Sequence, residues 1–331
     1  TGYYYYSDLA DKARESLRRI KLLAGLYEEA MHMISASLNP VFLSDPVLAS
    51  EFIEPDEFTD VFFLAEAYRN LGNFARAREY YGLYLQTHDA GVIVDKARFA
   101  LGAYYYSEDQ LNVALGHFEK IGKETASLYI QAKKRMGQIL FRIGDYSKAA
   151  LSYQEILDLT NDEQERSEAF AQLIICRIRE GNLNQGENLI KDFRNRYKNT
   201  DDHLAHFTIE LGEYQRAKKQ YSKAVNYFRT VKSKYKKSSY VDDADYLLAL
   251  TNIALNKHEE ALQILSNFPS EYPSSDRLPA VYNTLGTIYF RSEKYDAAIA
   301  TFKRALEIAG DAELERQVMS NLIKAYAMTG W

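Results

Sequence analysis

One cysteine, Cys176, stands in 331 residues, so the chain cannot close an intramolecular disulfide on itself or build a thiolate metal cluster. That composition is compatible with the cytosol, and equally with a periplasmic protein that uses no disulfides. Prolines number only six and crowd two places: Pro40, Pro46 and Pro55, then Pro269, Pro273 and Pro279. The proline-free span from 56 to 268 suits a long helical run, because proline removes a helix donor and clashes with the preceding turn. An excess of positive charge is also missing. The formal net charge is −5, which disfavours whole-protein attraction to nucleic acid or anionic lipid. No apolar run reaches the roughly 18 residues expected of a membrane span. No secretory leader is visible, but a chain that starts at Thr1-Gly2 rather than Met says little about one.

What is present is repetition. The stretch FRIGDYSKAALSYQEIL at 141–157 returns as FRSEKYDAAIATFKRAL at 290–306. Small residues recur at Ala77, Ala114, Ala149, Gly186, Ala224, Ala261 and Ala298, with gaps of 37, 35, 37, 38, 37 and 37. Four residues after each stands Tyr81, Phe118, Tyr153, Ile190, Phe228, Leu265 or Phe302. Each unit holds two helical patterns with apolar residues at i, i+3, i+4 and i+7, joined by a short turn. In the third unit the spacing predicts helices near 130–143 and 147–160 around a Gly144-Asp145 turn. Small residues let two helix backbones approach, and each hairpin offers an apolar face that it must bury on a neighbour.

The pattern resembles the tetratricopeptide repeat over about 58–331. With Phe58 as position 1, the small residue of position 8 is Ala65, Gly102, Gly137, Gly212, Ala249 or Gly286, and positions 20 and 24 are the columns above. The usual period is about 34, against mostly 37 here. In the fourth unit Ile174 fills position 8 while Gly186 replaces the usual alanine, and the glycine is read as offsetting the bulk of Ile174. The resemblance implies an all-α, right-handed superhelix of seven helix-turn-helix repeats plus a terminal helix around Leu322 and Tyr326. That last helix is read either as a cap or as the point where a longer protein is cut. Residues 1–57 are set apart as an amphipathic helix over 7–38, from Leu9 to Leu38, followed by a proline-containing linker.

A narrower resemblance comes from three joints: FRNRYKNT (193–200), VKSKYKKS (231–238) and FPSEYPSS (268–275). Tyr197, Tyr235 and Tyr272 share one position, and Thr200, Ser238 and Ser275 share another, where a hydroxyl can cap the following helix. This looks like the bacterial envelope branch of the family, which includes lipoproteins of the outer-membrane assembly machine and the periplasmic protein associated with Tol-Pal. It implies a periplasmic or envelope scaffold.

Candidate chemistry is sparse. His203, His206 and Glu210 fall at i, i+3 and i+7, but no fourth metal ligand is in sight. GHFEKIGKET (116–125) has five residues between its glycines, lacks the Ser or Thr of a phosphate loop, and follows a helix instead of a strand. Lys232, Lys234, Lys236 and Lys237 cluster at a helix end, where they suit the helix dipole or a local anion. No catalytic or cofactor motif appears, so no cofactor is expected. In the family, first helices line the concave side at positions 2, 5, 9, 12 and 13. Positions 12 and 13 here carry Arg69, Asn70, Tyr106, Phe141, Arg142, Arg179, Arg216, Phe290 and Arg291. Arg142, Arg179 and Arg216 are spaced 37 and 37. Guanidinium donors suit carboxylates, and flanking rings grip apolar side chains. The implied ligand is a protein segment or peptide of acidic and aromatic character, and the implied role is a non-catalytic scaffold. Phe62 and Glu66 stand where some relatives carry the Lys and Asn of a carboxylate clamp. Helical-repeat RNA binding, or a scaffold attached to an enzyme, are the other classes considered; the acidic balance argues against RNA.

Overall fold

The computed structural model describes residues 58–330 together with Glu29. The expected helix at 7–38, the linker at 39–57 and Trp331 lie outside the described residues. Among the described residues there are fifteen helices of an all-α helical-repeat fold. They run as hairpins: α1 (Phe58–Asn70) with α2 (Phe74–Thr87), α3 (Val92–Ser107) with α4 (Leu111–Phe118), and α5 (Ala126–Arg142) with α6 (Tyr146–Leu159). Then come α7 (Glu163–Glu180) with α8 (Leu183–Arg196), α9 (Asp201–Ala217) with α10 (Tyr221–Lys234), and α11 (Val241–Ala254) with α12 (His258–Glu271). Last are α13 (Leu278–Arg291) with α14 (Tyr295–Glu307), and the single helix α15 (Ala312–Met328). The chain divides into two compact units, Thr1–Ala169 and Phe170–Trp331.

Every hairpin turns by the same device. Gly72, Asp109, Gly144, Gly181, Lys219, Asn256 and Glu293 have positive φ, between 58° and 94°. In the third hairpin the Gly144 N–H donates to the Phe141 carbonyl at 3.1 Å and the Asp145 N–H to the Leu140 carbonyl at 2.8 Å. That pair of bonds is a Schellman motif, which satisfies carbonyls the helix end leaves open. Asp145 then serves as N-cap of α6, its carboxylate accepting from the Lys148 N–H at 3.2 Å. One residue thus closes one helix and opens the next, which is why so short a turn suffices. The expected helices of this hairpin differ most at the start of α5, which begins at Ala126 because nothing in 126–129 breaks a helix.

The small-residue columns are buried as expected: Ala77, Ala114, Ala149, Ala224, Ala261 and Ala298 are all at most 3% exposed. Their partner column packs across the hairpin. A Cβ on Gly102, Gly137, Gly212 or Gly286 would stand 2.6–2.7 Å from the ring of Phe118, Tyr153, Phe228 or Phe302 respectively. In these four units glycine at position 8 faces an aromatic ring at position 24; Ala65 shares a cluster with the aromatic Tyr81, and Ala249 shares one with the smaller Leu265. Gly186 departs from the expected reason. Its neighbour is Ile178, whose Cγ1 would lie 3.1 Å from an added Cβ, and not Ile174. The offset is therefore with the residue one turn further along α7, because α8 crosses α7 nearer the hairpin turn.

The loop that superficially resembles a phosphate cradle holds a carboxylate instead. The Gly122 N–H donates to both oxygens of Asp95 at 3.2 Å, and Asp95 is 4% exposed. Arg98 donates to the Lys120 and Asp89 carbonyls at 2.7 Å. Those bonds hold the 119–125 connection against the start of α3 and follow a short α4 of eight residues.

Candidate partner-binding groove

In the unit of residues 1–169 the helices α1, α2 and α3 enclose a groove of about 910 Å³. Its aromatic wall is Phe62, Phe63, Phe74, Tyr81, Phe99 and Tyr104. Charged and polar groups on the wall are Glu66, Arg69, Asn70, Arg78, Lys96 and Glu108. Helical spacing explains the lining. Phe62, Glu66, Arg69 and Asn70 are positions 5, 9, 12 and 13 of α1, while Lys96, Phe99 and Ala103 are positions 2, 5 and 9 of α3. One stripe of each first helix therefore faces the same space.

The charges divide into two kinds. Arg69 donates to Glu66 at 2.8 Å, and Glu66 also accepts a short hydrogen bond from the Tyr81 hydroxyl. Burial pushes the Tyr81 hydroxyl pKa well up, and the Glu66 charge adds to the rise, so Tyr81 stays a neutral donor. Arg78, by contrast, lies over the Tyr104 ring at 5.7 Å, and Lys96 is exposed at the groove edge. Among the described residues neither Arg78 nor Lys96 meets a carboxylate within ion-pair distance.

The sequence-predicted residues are distributed as follows. Arg69 and Asn70 line the groove. Elsewhere in the same unit Arg135 lies 5.6 Å over the Tyr106 ring, Phe141 packs edge-on to Tyr146 at 5.1 Å, and Arg142 pairs with Asp109 at 2.8 Å. In the unit of 170–331, Arg179 makes a short ion pair with Glu210 and a second with Glu213 at 3.1 Å. Arg216 reaches the same Glu213 at 3.1 Å, so one carboxylate brings the two arginines together. Phe290 packs edge-on to Tyr295 at 5.5 Å, matching the Phe141–Tyr146 pair of the similar stretch at 141–157, and Arg291 is exposed. Four of the five predicted arginines thus carry a carboxylate of this chain.

Sequence reasoning missed Arg78, Lys96 and Phe99. Lys96 and Phe99 sit at positions 2 and 5, which belong to the same face rule and were legible by the same count. Arg78 comes from a second helix, and no family position marks it.

Other candidates resolve into packing. His206 stacks on Tyr240 at 4.7 Å and its Nε2 is 3.6 Å from Glu210; His203 packs against Phe193 at 5.2 Å. Among the described residues no group of three His, Cys, Asp or Glu side chains converges as a metal site. Lys232 donates to Asp245 at 2.6 Å and to Glu271 at 3.4 Å. Cys176 is buried, and burial pushes its thiol up to about 12, which keeps it protonated and unreactive.

Three stretches, 61–86, 243–275 and 279–311, match models of the tetratricopeptide repeat. The chain is similar to the solved structure of a tetratricopeptide repeat protein from Parabacteroides merdae. The identity is 14%, covering 80% of this chain and 98% of that one, with a TM-score of 0.52. It is also similar to yeast Tom70, at 15% identity over 96% of this chain and 60% of that one, with a TM-score of 0.54. At these identities the likeness is one of fold. No curated protein sequence matches the chain. The chain therefore carries tetratricopeptide repeats, a class that generally mediates protein–protein interactions and generally is not catalytic. No helix among the described residues is long and apolar enough to cross a membrane.

Proposed function

We propose that this chain is a non-catalytic interaction scaffold, and that its α1–α3 groove holds an acidic, aromatic segment of a partner protein. The observation that carries this reading is the pair Arg78 and Lys96. Two cations that meet no carboxylate among the described residues flank a wall of aromatic rings in a space of about 910 Å³. A cation beside apolar surface is desolvated only at a cost, and a partner carboxylate offsets that cost while its neighbouring ring fills the wall. Arg69 and Asn70 supply further donors at the groove end.

The test is an array of peptides rich in Asp, Glu, Phe and Trp, probed with the full chain. Binding above alanine-substituted controls is expected, with R78E/K96E weakening it at least tenfold per reversed charge, about 1.4 kcal/mol each. Arg142→Glu should change it little, because Asp109 already neutralises Arg142. Equal binding by parent and R78E/K96E would refute the reading.

The bacterial envelope is the proposed setting for this scaffold. Support comes from the joint at 268–275: Tyr272 donates to Asp245 at 2.7 Å and Ser275 to Asp242 at 2.5 Å, tying that joint to α11. Release of the native protein with periplasmic markers on osmotic shock is the expected result; release only with cytoplasmic markers counts against it.

A further inference from the structure

Positive charge gathers at two helix ends in the unit of 170–331. The end of α8 reads KDFRNRYK (191–198) and the end of α10 reads KSKYKK (232–237), eight cations against one acid in a chain of net charge −5. Two contacts bring these ends together on one edge: Arg194 donates to the Tyr235 hydroxyl at 3.4 Å, and the Ser239 N–H donates to Asp202 at 2.9 Å. Lys232 is taken by Asp245 and Glu271. The other seven cations are exposed, and among the described residues none of them meets a carboxylate within ion-pair distance. Asp192, Asp201 and Asp202, with about half a negative charge at each of two helix C-termini, still leave this edge positive.

The make-up of the edge selects among anions. Five of the seven cations are lysines, hydrated point charges on flexible stems, whereas a cradled phosphate calls for the planar fork of arginine. Asp201 and Asp202 stand in the first turn of α9, and Asp242 and Asp243 in that of α11, so carboxylates already sit where a single phosphate would meet a helix start. A stacking platform for single-stranded nucleic acid is lacking, since Tyr235 is buried and Tyr197 packs on Phe193 at 4.8 Å. The cations lie at helix ends and not along one helix face that could enter a duplex groove. Among the described residues no large exposed apolar side chain falls in 160–307, so the edge lacks the anchor on which a protein interface depends. We propose that this edge makes a peripheral contact with an anionic phospholipid surface, through exposed lysines and without insertion of the chain. The contact belongs to the other unit from the α1–α3 groove and does not rest on it. A net charge of −5 does not forbid it, because charges farther away than a screening length of about 8 Å weigh little at physiological salt. Each Lys or Arg close to such a surface strengthens binding roughly fivefold.

The test is co-sedimentation of the full chain with vesicles of phosphatidylcholine alone, or of phosphatidylcholine and phosphatidylglycerol in equal parts. Three proteins are compared: the parent, K234Q/K236Q/K237Q, and the charge-matched control K223Q/R304Q/K324Q, which neutralises three exposed cations outside the two runs. Circular dichroism melting checks that each is folded. The parent is expected to bind the mixed vesicles and not phosphatidylcholine, with an affinity that falls as salt is added. K234Q/K236Q/K237Q should bind about 100-fold more weakly, from roughly fivefold per charge, and the control within about threefold of the parent. If K234Q/K236Q/K237Q melts early, K191Q/K198Q on the α8 run decides instead, with a loss of about 25-fold expected. No binding by the parent, equal binding to both vesicles, or an equal loss in the control overturns the proposal. A parent chain that shifts duplex DNA at lower concentration than it binds the mixed vesicles assigns the edge to nucleic acid and overturns it too.

Discussion

Lys219 and Glu293 hold left-handed backbone with φ of 58° and 59°, at turns where Gly72, Gly144 and Gly181 do the same work without a side chain. A Cβ in that region is strained, and glycine's greater unfolded-state freedom recovers only part of the difference. Lys219→Gly is therefore expected to raise stability by about 0.5–1 kcal/mol, read as a higher urea midpoint with an unchanged slope. Glycines within helices behave by the room they have. At Gly286 a Cβ would lie 2.6 Å from the Phe302 ring, which is 1% exposed and cannot retreat, so Gly286→Ala should destabilise by about 1–3 kcal/mol. Gly82 has nothing within 4 Å, and Gly82→Ala should stabilise by about 0.5–1 kcal/mol through helix propensity. Gly186→Ala falls between: the end of Ile178 must shift by tenths of an ångström while propensity improves. Its effect should be much smaller than that of Gly286→Ala in the same melting series. The need for small residues was legible in the columns. Which atom each one spares was not, because that depends on where along its length one helix crosses the next.

At the scale of elements, the network of Arg179, Glu210, Glu213 and Arg216 fastens α7 to α9. Burial raises the Glu210 pKa, but hydrogen bonds from His206 and Arg179 outweigh it and hold the carboxyl below its usual value. A pKa lowered on folding contributes stability that is complete above the unfolded value, near about 4.3, and is lost as pH falls through the folded value. Arg179→Ala removes one of the two groups that oppose burial and leaves His206, so the Glu210 pKa should rise from its lowered value. The variant should lose about 1–3 kcal/mol at neutral pH, less than a fully buried pair because the guanidinium is 30% exposed. Its acid unfolding should begin at higher pH than the parent's, and an unshifted acid limb would contradict this account. The joints carry a comparable lesson. The shared Ser and Thr were legible as caps, yet Ser238 and Ser275 stand two residues before the N-caps Tyr240 and Arg277, whose N–H groups their hydroxyls accept at 3.2 and 3.0 Å. Ser275 also donates to Asp242, a partner 33 residues away that local spacing does not name.

For the whole molecule, the net charge of −5 sets a modest general repulsion toward acidic ligands. Binding of an acidic peptide would then need a local field, the role proposed for Arg78 with Lys96. Affinity for an acidic, aromatic peptide from the array should fall steeply between about 50 and 500 mM salt, as a screened exposed contact does. Salt-independent affinity would mean that the aromatic wall alone holds the peptide. The sequence by itself determined the repeat period, the hairpin turns, the small-residue columns and the face that each first helix presents. These are properties of one helix or one turn, and a period of 3.6 residues is enough to read them. Only the tertiary structure decided which cations are available. Arg69, Arg142, Arg179 and Arg216 all stand on first helices, yet each meets a carboxylate, from three residues away for Arg69 and Arg216 to 34 for Arg179. Ion pairing falls off within a few ångströms, so for Arg142 and Arg179 it is the neighbouring hairpin, and not position along their own helix, that supplies the carboxylate, while Arg78 and Lys96 meet none among the described residues.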